Sequence, residues 1–256
     1  MPLSTRPRSA GTCGRGRPRL RGQRGLTLVE LMVGITIGLF VVAAATMLLT
    51  TQLGDNRRLL LETQLQQDLR ASADIIVREV RRASHWSAAE AGVWAEVGAP
   101  GSPAAQQNMF APVTWAPSAP SSVEFRYMRR PGEEGPFGFR LHTAAAGDGL
   151  TRGVIQTLLG PGGWQDLTDR NVVDITRFSI TARHGPPLRV ACPTACPGGG
   201  EDCWPTLTVR EFDIEIAARA VADPALQRAL RTTVRLRNDD LAFRFQTGST
   251  WQSCPP

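Results

Sequence analysis

Residues 26–53 read LTLVELMVGITIGLFVVAAATMLLTTQL, 28 consecutive positions with a single charge, Glu30. As a helix rising 1.5 Å per residue, this run is about 42 Å long, enough to cross a bilayer. The segment before it is different in kind. Residues 1–25 carry seven arginines (Arg6, Arg8, Arg15, Arg17, Arg19, Arg21 and Arg24) and no acid. The whole chain has a formal charge of +6, so the residues after Gly25 carry −1, and the basic isoelectric point belongs to the leading segment. A basic block against an apolar run commonly fixes orientation in a membrane, and it predicts a cytoplasmic N-terminus with the rest of the chain on the far side. With −1 remaining, no nucleic-acid partner is expected. An ordinary signal peptide has an apolar core of about 7–15 residues ending at a small-residue cleavage site. This run is longer, begins abruptly and holds an acid near its start.

Beyond Gly54, where the helix is expected to loosen, no proline occurs until Pro100. Leu61, Leu65, Leu69, Ala73, Ile76, Val80 and Ala83 recur at steps of three or four and form one apolar seam among charged residues. A continuous helix from Leu26 to Ser84 would be about 88 Å long, and its first half would have to lie in lipid or against other helices. Residues 85–120, rich in Ala, Pro, Gly and Ser, read as irregular. Strand patterns occur beyond them in SVEFRYM, FGFRL (137–141), GVIQTLL (153–159), VVDITRFSITA (172–182), TLTVREFDIEIAARA (206–220) and LRTTVRLR (230–237). Leu207 and Val209 alternate in one phase and Phe212, Ile214 and Ile216 in the other, which predicts a bulge or a change of buried face. Asp223-Pro224 marks a turn joining the last two long strands as an antiparallel hairpin. The predicted class is α+β: a leader over 1–25, the transmembrane half of a helix over 26–54, its amphipathic half over 55–84, and a β-rich domain over 85–256 whose antiparallel sheet packs on that helix.

Five cysteines are present, and removal of residues 1–25 discards Cys13. The remaining four, Cys192, Cys196, Cys203 and Cys254, form two disulfides in an oxidising compartment, with three connectivities open. A four-thiolate zinc site is the alternative, although only Cys192 and Cys196 have suitable spacing. His85, His142 and His184 are scattered and show no metal spacing. Gly160–Gly163 and Gly198–Gly200 read as turns, since neither ends in GK[ST] nor opens a helix. No nucleophile, acid and base come together, so no catalytic residue, cofactor, metal or small-molecule substrate is assigned.

The stretch Arg24-Gly25-Leu26-Thr27-Leu28-Val29-Glu30 resembles the prepilin signal of type IV pilins and of type II secretion pseudopilins. The resemblance implies cleavage by prepilin peptidase between Gly25 and Leu26, and N-methylation of Leu26. It also makes Glu30, fifth in the mature chain, an assembly residue that pairs with a neighbouring subunit's new amine. The alternative for Glu30 is a glutamate that snorkels to the headgroups. Gly34 and Gly38 form a GxxxG pattern that permits close helix approach. MVGITIGLF, DLRASADIIVREVRRAS and GGWQDLTDRNVVDITRFSI look similar to the PilW group of minor pilins, with Leu26 where many pilins have Phe and with a longer leader. That group implies a subunit that helps initiate pilus assembly, at the filament tip, with other minor and major pilins, prepilin peptidase and inner-membrane lipid as partners. The J-type pseudopilins share this plan and are the second expectation. A signal-anchored periplasmic binding module is the third, for which Glu30→Leu would be harmless.

Overall fold

The computed structural model describes residues 25–89, 106–116 and 119–255; the expectations for the leader before Gly25, Cys13 included, lie outside them. The chain divides into two compact units, Met1–Gly54 and Asp55–Pro256. Helix α1 spans Leu28–Arg81 and contributes to both. It is helical at Gly54 as on either side, so the loosening expected there is absent. One glycine costs about 1 kcal/mol against alanine, too little to interrupt a helix propagating from both directions.

In the first unit no described residue is buried. In the second, the apolar seam becomes core: Leu65, Leu69, Ala73, Ile76 and Val80 are buried, Ala83 is buried just past the helix end, and Leu61 packs against them. Each large aliphatic side chain removed from water here stabilises the unit by roughly 2 kcal/mol.

The strands form several small sheets where a single one was expected. β1 (Val113–Ala116), β2 (Ala119–Phe125), β3 (Phe137–Ala145), β4 (Thr151–Leu159) and β5 (Trp164–Asp166) pair in chain order as an antiparallel meander. After them come β6 (Val173–His184), β7 (Leu188–Arg189), β8 (Thr206–Thr208), β9 (Arg210–Ala220), β10 (Gln227–Arg235), β11 (Asp240–Ala242), β12 (Phe245–Thr247) and β13 (Thr250–Gln252). These give one sheet ordered β10-β9-β6, a second ordered β11-β8-β7, and the β12–β13 hairpin. β1 falls in the stretch read as irregular; its four residues are too few for a period, and its pairing partner β2 supplies the order.

The phase switch near Val209 is a break between two strands in different sheets. β8 ends at Thr208 and joins β7 and β11, while β9 starts at Arg210 and turns Phe212, Ile214 and Ile216 inward between β6 and β10. The Asp223-Pro224 turn does join β9 to β10 as an antiparallel hairpin, with Arg219 opposite Gln227. A true bulge lies elsewhere, in β6 between Ile175 and Arg177. Before it Val173 and Ile175 are buried, after it Phe178 and Ile180, so the extra residue carries the apolar face from odd to even positions.

Two polar ties hold these layers. A Cβ on Gly153 would sit 1.9 Å from the Ile175 carbonyl oxygen, so β4 can approach β6 only because this residue is glycine. The Gly153 N–H donates to Asp174 Oδ1 at 2.8 Å, and Asp174 Oδ2 accepts from Arg219 Nε at 2.8 Å. The second tie is Arg210, 6% exposed, whose guanidinium donates to Ser84 Oγ and the Asn238 carbonyl at 2.8 Å each and to the Ala111 carbonyl. Burial holds its pKa below the ordinary guanidinium value. Ser84, at φ +66°, is the left-handed residue that ends the helical segment.

Candidate functional site: the amino-terminal helix

Helix α1 begins with a reciprocal cap. The Thr27 N–H and hydroxyl both donate to Glu30 Oε2 at 3.0 Å, and the Glu30 N–H donates to Thr27 Oγ1 at 3.3 Å. This is a capping box, which satisfies backbone donors that the first helical turn leaves without partners. The T-x-x-E spacing was in the sequence, but attention to the acid alone missed Thr27. Among the described residues Glu30 Oε1 has no partner, so half of the carboxylate is committed locally and half is available.

Gly25 and Leu26 precede the helix and are exposed, Leu26 by 77%. A Cβ added at Gly25, Gly34 or Gly38 would meet nothing within 4 Å. Among the described residues no contact therefore requires glycine at these positions, although Gly34 and Gly38 each cost the helix about 1 kcal/mol against alanine.

Around these glycines Leu28, Met32, Leu39, Phe40, Met47 and Leu48 are all exposed. A contiguous apolar surface of this size belongs against lipid or other protein. The polar residues in the run do not oppose that. Thr36 donates its hydroxyl to the Met32 carbonyl and Thr46 to the Val42 carbonyl, each at 2.8 Å, and Thr50 and Thr51 both donate to the Met47 carbonyl. Each hydroxyl is satisfied within its own helix, which lowers the cost of leaving water. The helix is long and apolar enough to cross a membrane.

The structure pairs Cys192 with Cys254 and Cys196 with Cys203, with Cα atoms 5.7 Å apart in both cases. Cys196–Cys203 closes a short loop in which Gly199 and Gly200 take positive φ, and the Cys196 N–H donates to the Gly200 carbonyl at 3.1 Å. Cys254, fully buried, fastens the chain's tail to the segment after β7. All four sulfurs are thus occupied in S–S bonds, and the zinc alternative has no thiolate left to use. Among the described residues no cluster of histidine, cysteine and acid is arranged to hold a metal. His142 sits in β3 opposite Val154, and His184 ends β6 with its ring edge-on to Phe212.

Two protein-family models match. The prokaryotic N-terminal methylation motif covers residues 20–46, the stretch that contains Gly25, Leu26, Glu30, Gly34 and Gly38. The model for prepilin peptidase-dependent protein B covers residues 58–236, from the amphipathic part of α1 through β10. No curated protein and no solved structure matches the chain. A methylation-motif helix and a matched β-rich unit together make this a pilin- or pseudopilin-type subunit. The chain belongs to the prepilin peptidase-dependent protein B family.

Proposed function

We propose that the chain is a minor type IV pilin of the PilW kind, a non-enzymatic subunit that helps initiate pilus assembly and sits at the filament tip. Prepilin peptidase cuts between Gly25 and Leu26 and methylates the new amine. The mature helix anchors the subunit in the inner membrane as a single pass, N-terminus cytoplasmic and β-rich unit periplasmic, until assembly transfers its apolar surface from lipid to other pilins' helices. The observation that carries this reading is the glycine at position 25, which costs order and which no contact among the described residues requires. A peptidase closing on bare backbone supplies the missing reason. Gly34 and Gly38 fit the same logic, with neighbouring helices as the partners.

Glu30 has a double task in this scheme. Oε2 holds Thr27 and so keeps the first turn wound. Oε1 is left to accept a neighbouring subunit's Leu26 ammonium, which sets register during assembly. An acid left unpaired in the bilayer would cost about 3 kcal/mol on insertion scales, so pairing also favours assembly.

The deciding experiment is the N-terminal mass of the protein from membranes of strains with and without prepilin peptidase. The expected product begins at Leu26 and carries one added methyl; an intact N-terminus in both strains, or a cut near Ala45, refutes the proposal. Family membership by peptidase dependence also fits a J-type pseudopilin of type II secretion. Loss of piliation on deletion, with secretion intact, favours the pilus; the reverse favours the pseudopilus.

A further inference from the structure

Most arginines on the β-sheets of the second unit are matched to an acid: Arg152 to Asp148, Arg177 to Glu215, Arg183 to Asp213, Arg219 to Asp174, Arg231 to Glu215 and Arg235 to Asp239. The end of the helical segment in this unit breaks that pattern. There a cleft of about 350 Å³ is lined by Arg82, His85, Tyr127, Met128, Arg129, Arg237 and Asn238. A second depression of about 500 Å³ shares Arg82 and Arg237 with it and adds Asp74, Val77, Arg78 and Arg81. Five arginines therefore line two adjoining depressions.

Their counter-charges are few. Glu79 pairs with Arg82 at 3.0 Å and Arg129 at 3.5 Å, and its Oε2 also accepts the Tyr127 hydroxyl at 2.6 Å. One carboxylate is thus divided among three donors. Asp74 lines the outer depression, and Glu133 acts on Arg129 from farther off. Among the described residues Arg78, Arg81 and Arg237 have no side-chain ion pair or hydrogen bond. Basic residues in a last helical turn do offset the negative end of the helix, which accounts for Arg78 and Arg81. It does not account for Arg129 and Arg237, which arrive from the segments after β2 and β10. Their placement is fixed: the Arg237 N–H donates to the Arg81 carbonyl at 3.1 Å, and Arg129 lies 4.9 Å over the Phe137 ring. Like charges held together on a fixed frame repel unless an anion joins them.

We propose that this double cleft binds an acidic, carboxylate-bearing peptide segment of a neighbouring protein subunit. Its two lobes together exceed what one inorganic ion fills, and they suit an extended segment with more than one carboxylate. Val77 and Met128 give apolar wall for side-chain stems, and free guanidinium forks match carboxylates two bonds at a time. The Glu79–Tyr127–Arg129 cluster already shows a carboxylate held in this setting. A nucleic-acid strand is a poorer occupant: Tyr127 is 2% exposed and offers no stacking face, which leaves the single exposed ring of His85 where successive bases need several. The proposal rests on the chain's being a filament-type subunit and not on which filament it joins.

The test is fluorescence anisotropy of labelled hexaglutamate peptide against the full mature chain in neutral detergent, with a short single-stranded DNA as comparator. The wild type should bind the peptide at low salt, and Arg81→Gln with Arg237→Gln should weaken binding at least about tenfold. A control double variant, Arg183→Gln with Arg231→Gln, should leave binding within about twofold. Both pairs are exposed, and matching near-ultraviolet circular dichroism verifies that each variant is folded. Equal losses in the two double variants, or no peptide binding by the folded wild type, overturn the proposal. DNA binding lost in the cleft variant without peptide binding overturns it in favour of a phosphate ligand. Processing at Gly25 does not enter this readout, so its failure and the failure of the pilin reading remain separable.

Discussion

The two units of the chain spend their side chains differently. Among the described residues of Met1–Gly54 the side-chain hydrogen bonds reach three or four residues along the helix, as from Thr27 to Glu30 or Thr46 to Val42. In Asp55–Pro256 they reach across the sequence, as from Arg210 to Ser84, 126 residues apart, or from Arg228 to Glu62, 166 apart. Apolar residues show the same division, with Phe40 77% exposed and Ile76 fully buried. The first unit is ordered locally and leaves its surface for other molecules, whereas the second is ordered by distant parts of its own chain. Two stretches of one helix can therefore have unrelated sources of stability.

The sharpest way to break this comparison is to make the same kind of cut in both units. Ile76→Ala should lower the unfolding free energy of the β-rich unit by about 3–4 kcal/mol, by transfer loss plus a cavity. Phe40→Ala should leave that unit's denaturant midpoint unchanged, since Phe40 has no core to leave. A shift of the midpoint by Phe40→Ala would show that the first unit is not independent. Arg210→Met comes next: it leaves the Asn238 carbonyl and Ser84 Oγ without this donor, and the Ala111 carbonyl with only the Ser84 hydroxyl at 3.4 Å, and should cost about 2–3 kcal/mol, read from the same urea curve. Thr27→Ala removes half of the capping box and should cost about 1 kcal/mol of local helix stability. It should appear as faster amide exchange at the first turn in micelles, with the β-rich unit's melting temperature unmoved.

The smallest effect is one of pH. Burial first, and then the nearby charge of Asp169, raise the Asp68 carboxyl above the ordinary aspartate value. A carboxyl whose folded pKa is raised is fully tolerated below its unfolded pKa, about 4, and becomes a cost as pH climbs through the folded value. Asp68→Asn should therefore raise the melting temperature slightly at pH 7 and make no difference below about pH 4. A gain that persisted at low pH would assign the effect to packing instead.

The parts legible in the sequence are those with a period. The seam from Leu61 to Ala83 repeats at helical spacing and is the buried stripe of α1 and its end. β9 alternates over its eleven residues, β6 keeps one buried phase on each side of its bulge, and the phase change in TLTVREF pointed to a bulge or a change of buried face where the chain breaks into two strands. β7, β11, β12 and β13 are two or three residues long, too short for any pattern, and their partners decide them. Arg210 could have been suspected, because it shares the buried phase of Phe212 and Ile214 and only a partnered arginine can sit there. The arginine cleft could not. It joins residues near 80, 128 and 237, which nothing in a linear reading brings together. At the amino terminus the reverse holds: the helix cap is local, with Thr27 three residues before Glu30, so the T-x-x-E spacing itself carries it.

The Cys192–Cys254 bond has a mechanical meaning. It makes residues 192 and 254 a single node, so a pull on the tail passes directly to the segment after β7. Strands β8 to β13, with the central β9 among them, lie in the bypassed covalent loop, so force reaches them only through their pairing with β6 and β7. A subunit fastened this way can be tugged from its tail without tension running along β8 to β13, and reduction would route the same force through those strands.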